Sequence, residues 1–407
     1  MTSTTRAPQG AHSRTTVAVL LRSVDRPFVV LASVARLPTA MLPLGILLYV
    51  ADRTGSFATG GLAVAALSIG GGIGGPLVGI AADRYGQRVA ALLASLAQVA
   101  ALGALLLVEE LVLVLLLAAL VGTANPQVGA MVRSRWAKVG RGRTDRASFT
   151  ATAMAWEAVV DESSFVLGPV LVGTVAGLVS PNAALLLTLV IATTTQTGFA
   201  LHPSALPGSR RAAATGTRVA LPRLHVSGLL LAMAAVGLVF GATQTGVAAR
   251  LAETGQDALT GPVYALMGVG SAISGLLTTR MSLRIALTTR IAVAGVALTG
   301  AGLVAAAAPI PWALGGACLL IGLALGPALV SCYALAERSA PEGWGTTMMT
   351  ALGTANVVGV AAGAAAAGVL VDGVAPAAAL LVVSVAGLLV LVGGVGARVT
   401  DPGRRTT

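Results

Sequence analysis

A few charged residues stand inside long apolar stretches, where even the lenient insertion scale sets the cost of a charge at about 2.5 to 3.5 kcal/mol. Glu157, Asp161 and Glu162 fall at i, i+4 and i+5. On a helix, Glu157 and Asp161 therefore share a face and Glu162 is turned from Asp161 by about 100°. Arg36 lies about eight residues into an earlier apolar run, ahead of Pro38 and Pro43, whose missing amide hydrogens permit a kink. Burial and like-charge crowding favour a protonated carboxyl. An acidic cluster partnered by Arg36 can thus take up and release a proton. The same residues also suit a static network, in which the acids pair with Arg36, Arg133 or Arg84 and Arg88 and never change protonation, or an interfacial position at the start of the helix. Further polar groups that can line a cavity are Asn125 and Gln127 around Pro126, Thr243, Gln244, Tyr264, Ser331, Tyr333 and Asn356. Each alone can equally be a hydrogen bond between helices. Trp136, Trp156 and Trp344 read as interfacial anchors.

The elements that hold these residues are helices in a bilayer. The chain has 407 residues, 56% of them hydrophobic and 10% charged, which excludes a water-soluble enzyme. Apolar runs bounded by charge, Pro or Gly fall near 28–50, 57–82, 89–108, 111–132, 150–179, 182–201, 226–249, 258–279, 285–307, 312–336, 345–371 and 374–397. Each is long enough to cross a bilayer. The first is too long for a removable signal segment and lacks a small-residue cleavage site.

Basic loops stay cytoplasmic. Of the 26 Lys and Arg residues, 23 fall in the two tails and the even-numbered loops, Arg53 and Arg250 fall opposite, and Arg36 lies within a span. Both termini are therefore expected in the cytoplasm. Abundant Ala, Gly, Val and Arg with a single lysine, Lys138, point to a GC-rich bacterial genome and so to the plasma membrane. Aromatics are 3% of the chain and do not interleave with the basic residues, so the net charge of +11 marks topology and not a nucleic-acid surface. Cys318 and Cys332 stand on one predicted helix, about 21 Å apart along its axis, too far to bridge. His12, His202 and His225 lie in the tail and one loop, so neither a metal site nor a nucleophile with its base is assembled inside the spans, and no cofactor is implied. Gly70, Gly72 and Gly75 match a dinucleotide-binding spacing, but without the preceding strand or the following acid the match is fortuitous.

Residues 202–225 are polar, Arg-rich and contain three prolines, which divides the chain into a tail over 1–27, six spans over 28–201, a linker over 202–225, six spans over 226–397 and a tail over 398–407. The halves repeat. Gly75, Gly79, Arg84 and Arg88 recur 196 residues on as Ser271, Gly275, Arg280 and Arg284, while Gly168, Gly173 and Pro181 recur 195 residues on as Gly363, Gly368 and Pro376. Halves so related enclose a cavity near the bilayer midplane.

Between the second and third runs stands Gly79-Ile80-Ala81-Ala82-Asp83-Arg84-Tyr85-Gly86-Gln87-Arg88. It resembles the signature loop of the major facilitator superfamily, Gly-x-x-x-Asp-Arg-x-Gly-x-Arg, and stands at the expected place. The resemblance implies an all-α polytopic protein of two six-helix bundles related by pseudo-two-fold symmetry, working as a secondary transporter. Gly86 suits the sharp turn, and Gly71, Gly75 and Gly79 suit close helix approach. Asp83 can pair with Arg84 or Arg88 as a latch that holds in one state and opens in another. The second-half counterparts of Asp83 and Gly86 are Thr279 and Ser282, which cannot form it. The fifth run continues Gly168-Pro169-Val170-Leu171-Val172-Gly173, which resembles incompletely the Gly-Pro motif of proton-driven drug exporters. Val172 replaces a glycine of that motif and Ser164 an earlier one, and Ala118 stands where such exporters carry a fourth-span arginine.

Together these features predict a monomeric, proton-coupled exporter of a small amphipathic drug or secondary metabolite. A proton symporter importing a small metabolite is the alternative within transporters. Outside that class stands a non-transporting sensor or assembly protein, against which the short tails count.

Overall fold

The computed structural model of the chain describes residues 17–208, 223–278, 285–339 and 345–399. Among these residues there is no strand, and twelve helices are long and apolar enough to cross a membrane. In chain order the spans are Arg26–Thr54, Phe57–Tyr85, Gln87–Leu105, Leu111–Arg141, Ser148–Leu178, Pro181–Leu201, His225–Ala252, Asp257–Thr278, Leu287–Ala306, Pro311–Ser339, Met348–Gly373 and Pro376–Arg398. Side chains start several of them. Ser56 accepts from the Thr59 amide, Glu110 from those of Val112 and Leu113, and Ser180 from that of Ala183, each satisfying a donor that the first turn leaves open. Pro181, Pro311 and Pro376 stand first in their helices, where the missing amide hydrogen costs nothing.

Packing repeats between the halves. The first span packs on the fifth and sixth, the second on the fourth, and the third on the fourth and sixth; the seventh to twelfth spans pair in the same pattern. The register of this repeat differs from the one read in the sequence. Phe57, Gln87 and Leu111 open the second, third and fourth spans, and Asp257, Leu287 and Pro311 open the eighth, ninth and tenth, each 200 residues on. The crossings agree: Gly70 and Gly122 meet Ala119 and Leu67, as Gly270 and Gly322 meet Leu319 and Met267. The 196-residue match of Gly75 and Gly79 with Ser271 and Gly275 is therefore about one helical turn off, because small residues are frequent on every face of these helices. The 195-residue match has a packing counterpart. Gly168 and Gly363 lie against Ala40 of the first span and Leu238 of the seventh, while Gly173 and Gly368 lie at contacts between the halves.

Those contacts join the second span to the eleventh and the fifth to the eighth. A methyl group on Gly61 would lie 2.3 Å from the Ala364 carbonyl oxygen, and one on Gly368 2.4 Å from that of Phe57. On the symmetric pair, methyls on Gly173 and Gly177 would lie 2.2 and 2.1 Å from the amides of Gly261 and Ala258. Small residues let backbones approach this closely. All four contacts lie towards the end of the bundle away from the signature loop. Nearer that loop the described helices part: among the described residues, Gly72 would meet only a Val357 side chain at 3.3 Å, and Gly79 and Gly353 have no neighbour within 4 Å. The smooth face of the second span is thus Gly70 and Gly74, set against the fourth span, rather than Gly71, Gly75 and Gly79. Leu93, Leu96, Val293, Val296, Leu388 and Val392 are exposed along the third, ninth and twelfth spans, as a lipid-facing surface requires.

Candidate functional site

Two helix breaks build the site. The first span is helical over Arg26–Val34 and again over Leu37–Thr54, with Ala35 and Arg36 between. Pro38 stands at the start of the second piece, where its missing amide is tolerated, and Pro43 is accommodated inside it. The fourth span runs over Leu111–Thr123 and Val128–Arg141. Pro126 cannot donate and disfavours helical backbone at Asn125. Beyond the break Val128, Met131, Val132 and Trp136 bury one face and the helix resumes. Arg133, Arg135, Lys138 and Arg141 consequently lie on a helix and not in the basic loop expected from the sequence.

Between the breaks Arg36 is 6% exposed and Glu157 2%. The Arg36 guanidinium pairs with the Glu157 carboxylate and, through Nη1, with Asp161 at 2.9 Å. Asp161 also pairs with Arg133, and the Trp136 indole N–H donates to Glu157 Oε1 at 2.8 Å. Two buried or half-buried acids therefore face two guanidiniums and an indole, the compensation that a buried charge needs. Trp136 is buried, edge-on to Phe28 and Phe149, and so is no interfacial anchor. Its indole needed a partner within the protein and found it in Glu157. Trp156 is half-buried against the same cluster, and Trp344 lies outside the described residues.

Arg36, Thr39, Asn125, Gln127, Asp161 and Ser164 line a cavity of about 100 Å³. Asn125 Oδ1 accepts from Thr39 Oγ1 at 2.9 Å and from Gln98 Nε2 at 3.2 Å, and Gln127 donates to the Asn125 carbonyl at 3.2 Å. Thr39 and Gln98 escaped the sequence reading because a single threonine or glutamine in an apolar run carries no spacing signal. Glu162 stands apart. It is exposed and makes no ion pair with any described residue. One turn further along, on the same face, Val166 reaches Gly268 of the eighth span, so Glu162 lies on the face turned to the other half, where the two spans begin to part.

The second-half candidates are not brought to this cavity. Gln244 is buried one turn before Ala248, which joins Met41, Leu44 and Val64 in the cluster between the halves. Tyr264 packs against the core of the second half, and Tyr333 is exposed. Asn356 donates to the Met233 carbonyl at 3.4 Å and ties the eleventh span to the seventh.

At the signature loop Gly86 has φ +94°, which favours glycine, and a methyl there would also lie 3.0 Å from the Gly208 amide. The end of the sixth span and the residues just after it dock here: Arg88 donates to the Leu201 carbonyl at 3.3 Å, and the Gln87 amide donates to that of Leu206 at 2.9 Å. Arg84 lies over the Tyr85 ring. Asp83 is exposed and pairs with neither Arg84 nor Arg88, so the expected latch is not formed in this conformation. Arg280, Thr279, Ser282 and Arg284 lie outside the described residues. Arg135, read in sequence as a topology residue, is 2% exposed. It stacks on Phe199 at 3.9 Å and donates to Gln87 and Ser204, both at 2.8 Å.

The fold has known counterparts. A nucleoside transporter, NupG, solved in a mutant form, has a TM-score of 0.75 at 13% identity, over 92% of this chain and all of that one. A POT-family transporter, PepTSo, gives 0.66 at 12% over 92% and 98%, and the human organic anion transporter MFSD10 (TETRAN) gives 0.60 at 17% over 91% and 99%. No curated protein matches the sequence. The sequence profile of the Major Facilitator Superfamily matches residues 28–364. With that match across most of its length and twelve spans folded to suit, the chain belongs to the major facilitator superfamily and is a multi-pass membrane transporter, not an enzyme.

Proposed function

We propose that the protein is a proton-coupled secondary transporter that exports a small amphipathic compound by alternating access. Its two six-helix bundles, 28–201 and 226–397, rock about the region between the broken first and fourth spans and the facing seventh and eighth. Glu162 carries the proposal. Glu157 and Asp161 can take a proton only by giving up Arg36, Arg133 or Trp136. Glu162 can do so without dismantling any ion pair to a described residue, and it lies where the halves separate. The network of Arg36, Glu157, Asp161 and Arg133 then acts as a fixed electrostatic wall beside it.

Mostly apolar walls with a few polar groups suit an amphipath better than a sugar, which calls for many hydrogen bonds. The nucleoside, POT-family and organic anion transporters named above lend this chain a fold only. The 23-to-2 distribution of basic residues supports cytoplasmic termini in a bacterial plasma membrane. The conformation described would then open to the cytoplasm. Counterflow of a panel of amphipathic compounds into inverted vesicles, with and without an imposed pH gradient, tests the reading. Gradient-dependent accumulation inside inverted vesicles supports export, accumulation in right-side-out vesicles alone would make the protein an importer, and silence in both would remove the transport assignment for these compounds.

A further inference from the structure

Two buried arginines in the first half are treated differently by their surroundings. Arg36 is compensated by Glu157 and Asp161. Arg135, equally buried, has no carboxylate at ion-pair distance among the described residues. Its Nε and Nη1 are used by the neutral Gln87 and Ser204, and its Nη2 has no partner. Residues 209–222, which follow the docked segment, contain no acid. A buried guanidinium without a counter-charge is costly.

Arg135 also borders a partly open cavity of about 400 Å³ between residues 23–28, the later part of the fourth span and the segment 202–206, at the end bearing the signature loop. Lys138, one turn beyond on the fourth span, adds a second cation to the wall. Ser23, Ser204 and His202 add hydroxyls and a ring nitrogen. Among the described lining residues Asp25 is the one acid, and it pairs with neither cation. This cavity is separate from the one at Arg36 and shares no lining residue with it.

We propose that this cavity binds a phosphate-bearing anion, held by Arg135 and Lys138, and that at this depth the phosphate is the headgroup of an anionic lipid. Basic pockets between membrane helices on the cytoplasmic side suit such headgroups, and paired cations hold phosphate through charge-assisted hydrogen bonds. The bound anion supplies a counter-charge that no described residue gives Arg135 and fastens the segment 202–206 to the first and fourth spans.

The test uses the full chain in detergent and follows its thermal unfolding during titration with phosphatidylglycerol, with phosphatidylcholine, and with inorganic phosphate against chloride at equal ionic strength. Phosphatidylglycerol is expected to raise the midpoint saturably and phosphatidylcholine not to. Lys138→Gln should weaken the apparent affinity about tenfold, the effect of one charge-assisted bond. Arg141→Gln, at an exposed basic residue outside the cavity, should leave it unchanged. Arg135→Gln should abolish the response, and if that variant does not fold, Lys138→Gln decides. A rise with phosphate alone keeps the anion site and makes free phosphate its source. No rise with either probe, or equal weakening by Lys138→Gln and Arg141→Gln, overturns the proposal.

Discussion

The carboxylate of Asp372, at the end of the eleventh span, accepts a 2.5 Å hydrogen bond from the hydroxyl of Ser56, at the start of the second. The amides of Phe57 and Ala58 donate to the same carboxylate at 3.0 and 3.1 Å. One half of the molecule thus caps a helix of the other, where a negative charge meets the positive end of the helix dipole. The cap lies beside the Gly61 to Ala364 and Gly368 to Phe57 contacts. Chemistry and packing close the same face, the one away from the signature loop.

Replacing Asp372 by Ala removes this cap at a cost of about 1 kcal/mol and should shift the balance of conformers about fivefold towards opening on that face. A cysteine placed at the fully buried Ala364 reports it, since Cys318 and Cys332 are buried and contribute little background. Labelling of Ala364→Cys should be severalfold faster with Asp372→Ala than without. Equal rates would mean that packing alone holds the face shut.

Gly173→Val should keep the fifth span off the eighth, because its side chain would start 2.2 Å from the Gly261 amide. Transport should be lost while the protein still inserts and runs as a single species in gel filtration. Gly103→Ala, with no neighbour within 4 Å, is the matched control and should transport normally.

Arg36→Ala leaves Glu157 buried and without its cation, at a cost of about 3–5 kcal/mol. Arg133 is 42% exposed, so Arg133→Ala should cost only about 0–1 kcal/mol. Thermal unfolding of the two variants in one detergent checks the order. A larger loss for Arg133→Ala would contradict the placement of Glu157 at the centre of the network.

Spacing made the acidic cluster legible in the sequence: with Glu157 and Asp161 one turn apart and Arg36 alone in its span, the cost of burying charge made an ion-paired network among them one reading, beside proton exchange and an interfacial position. Which acid has no ion pair among the described residues did not follow, because it depends on the rotation of the fifth span against the eighth, fixed by Gly173, Gly177, Gly261 and Ala258. The twelve spans were legible as apolar runs. The continuation of the fourth span past Arg133 was not, since charged residues normally end such a run, whereas here Val128, Met131, Val132 and Trp136 bury one face of a helix that runs on to Arg141. The internal repeat was visible but misplaced by a turn in its first block, where frequent glycines offer several registers of similar quality.

Burial, and after it the charge of Arg135, holds the pKa of His202 below the ordinary histidine value, with Asp25 pulling the other way. A depressed pKa means that the imidazole charges more readily in the undocked segment than in the docked one. Docking of residues 202–206 is therefore strongest above the ordinary value of about 6.5 and weakens as pH falls below it. The protection of the Ser204 and Leu206 amides, measured as the exchange rate relative to the intrinsic rate at each pH, should fall on acidification, and Arg135→Gln should move the His202 titration upward. Protection that stays constant with pH would remove His202 from this role.

Flux in proteoliposomes carrying Glu162→Gln or Asp161→Asn tests the central claim most directly, measured as gradient-driven transport and as counterflow without a gradient. If Glu162 exchanges the coupled proton, Glu162→Gln loses gradient-driven flux yet keeps counterflow near the wild-type rate, and Asp161→Asn retains its response to the gradient. Undiminished gradient-driven flux in Glu162→Gln would contradict the account.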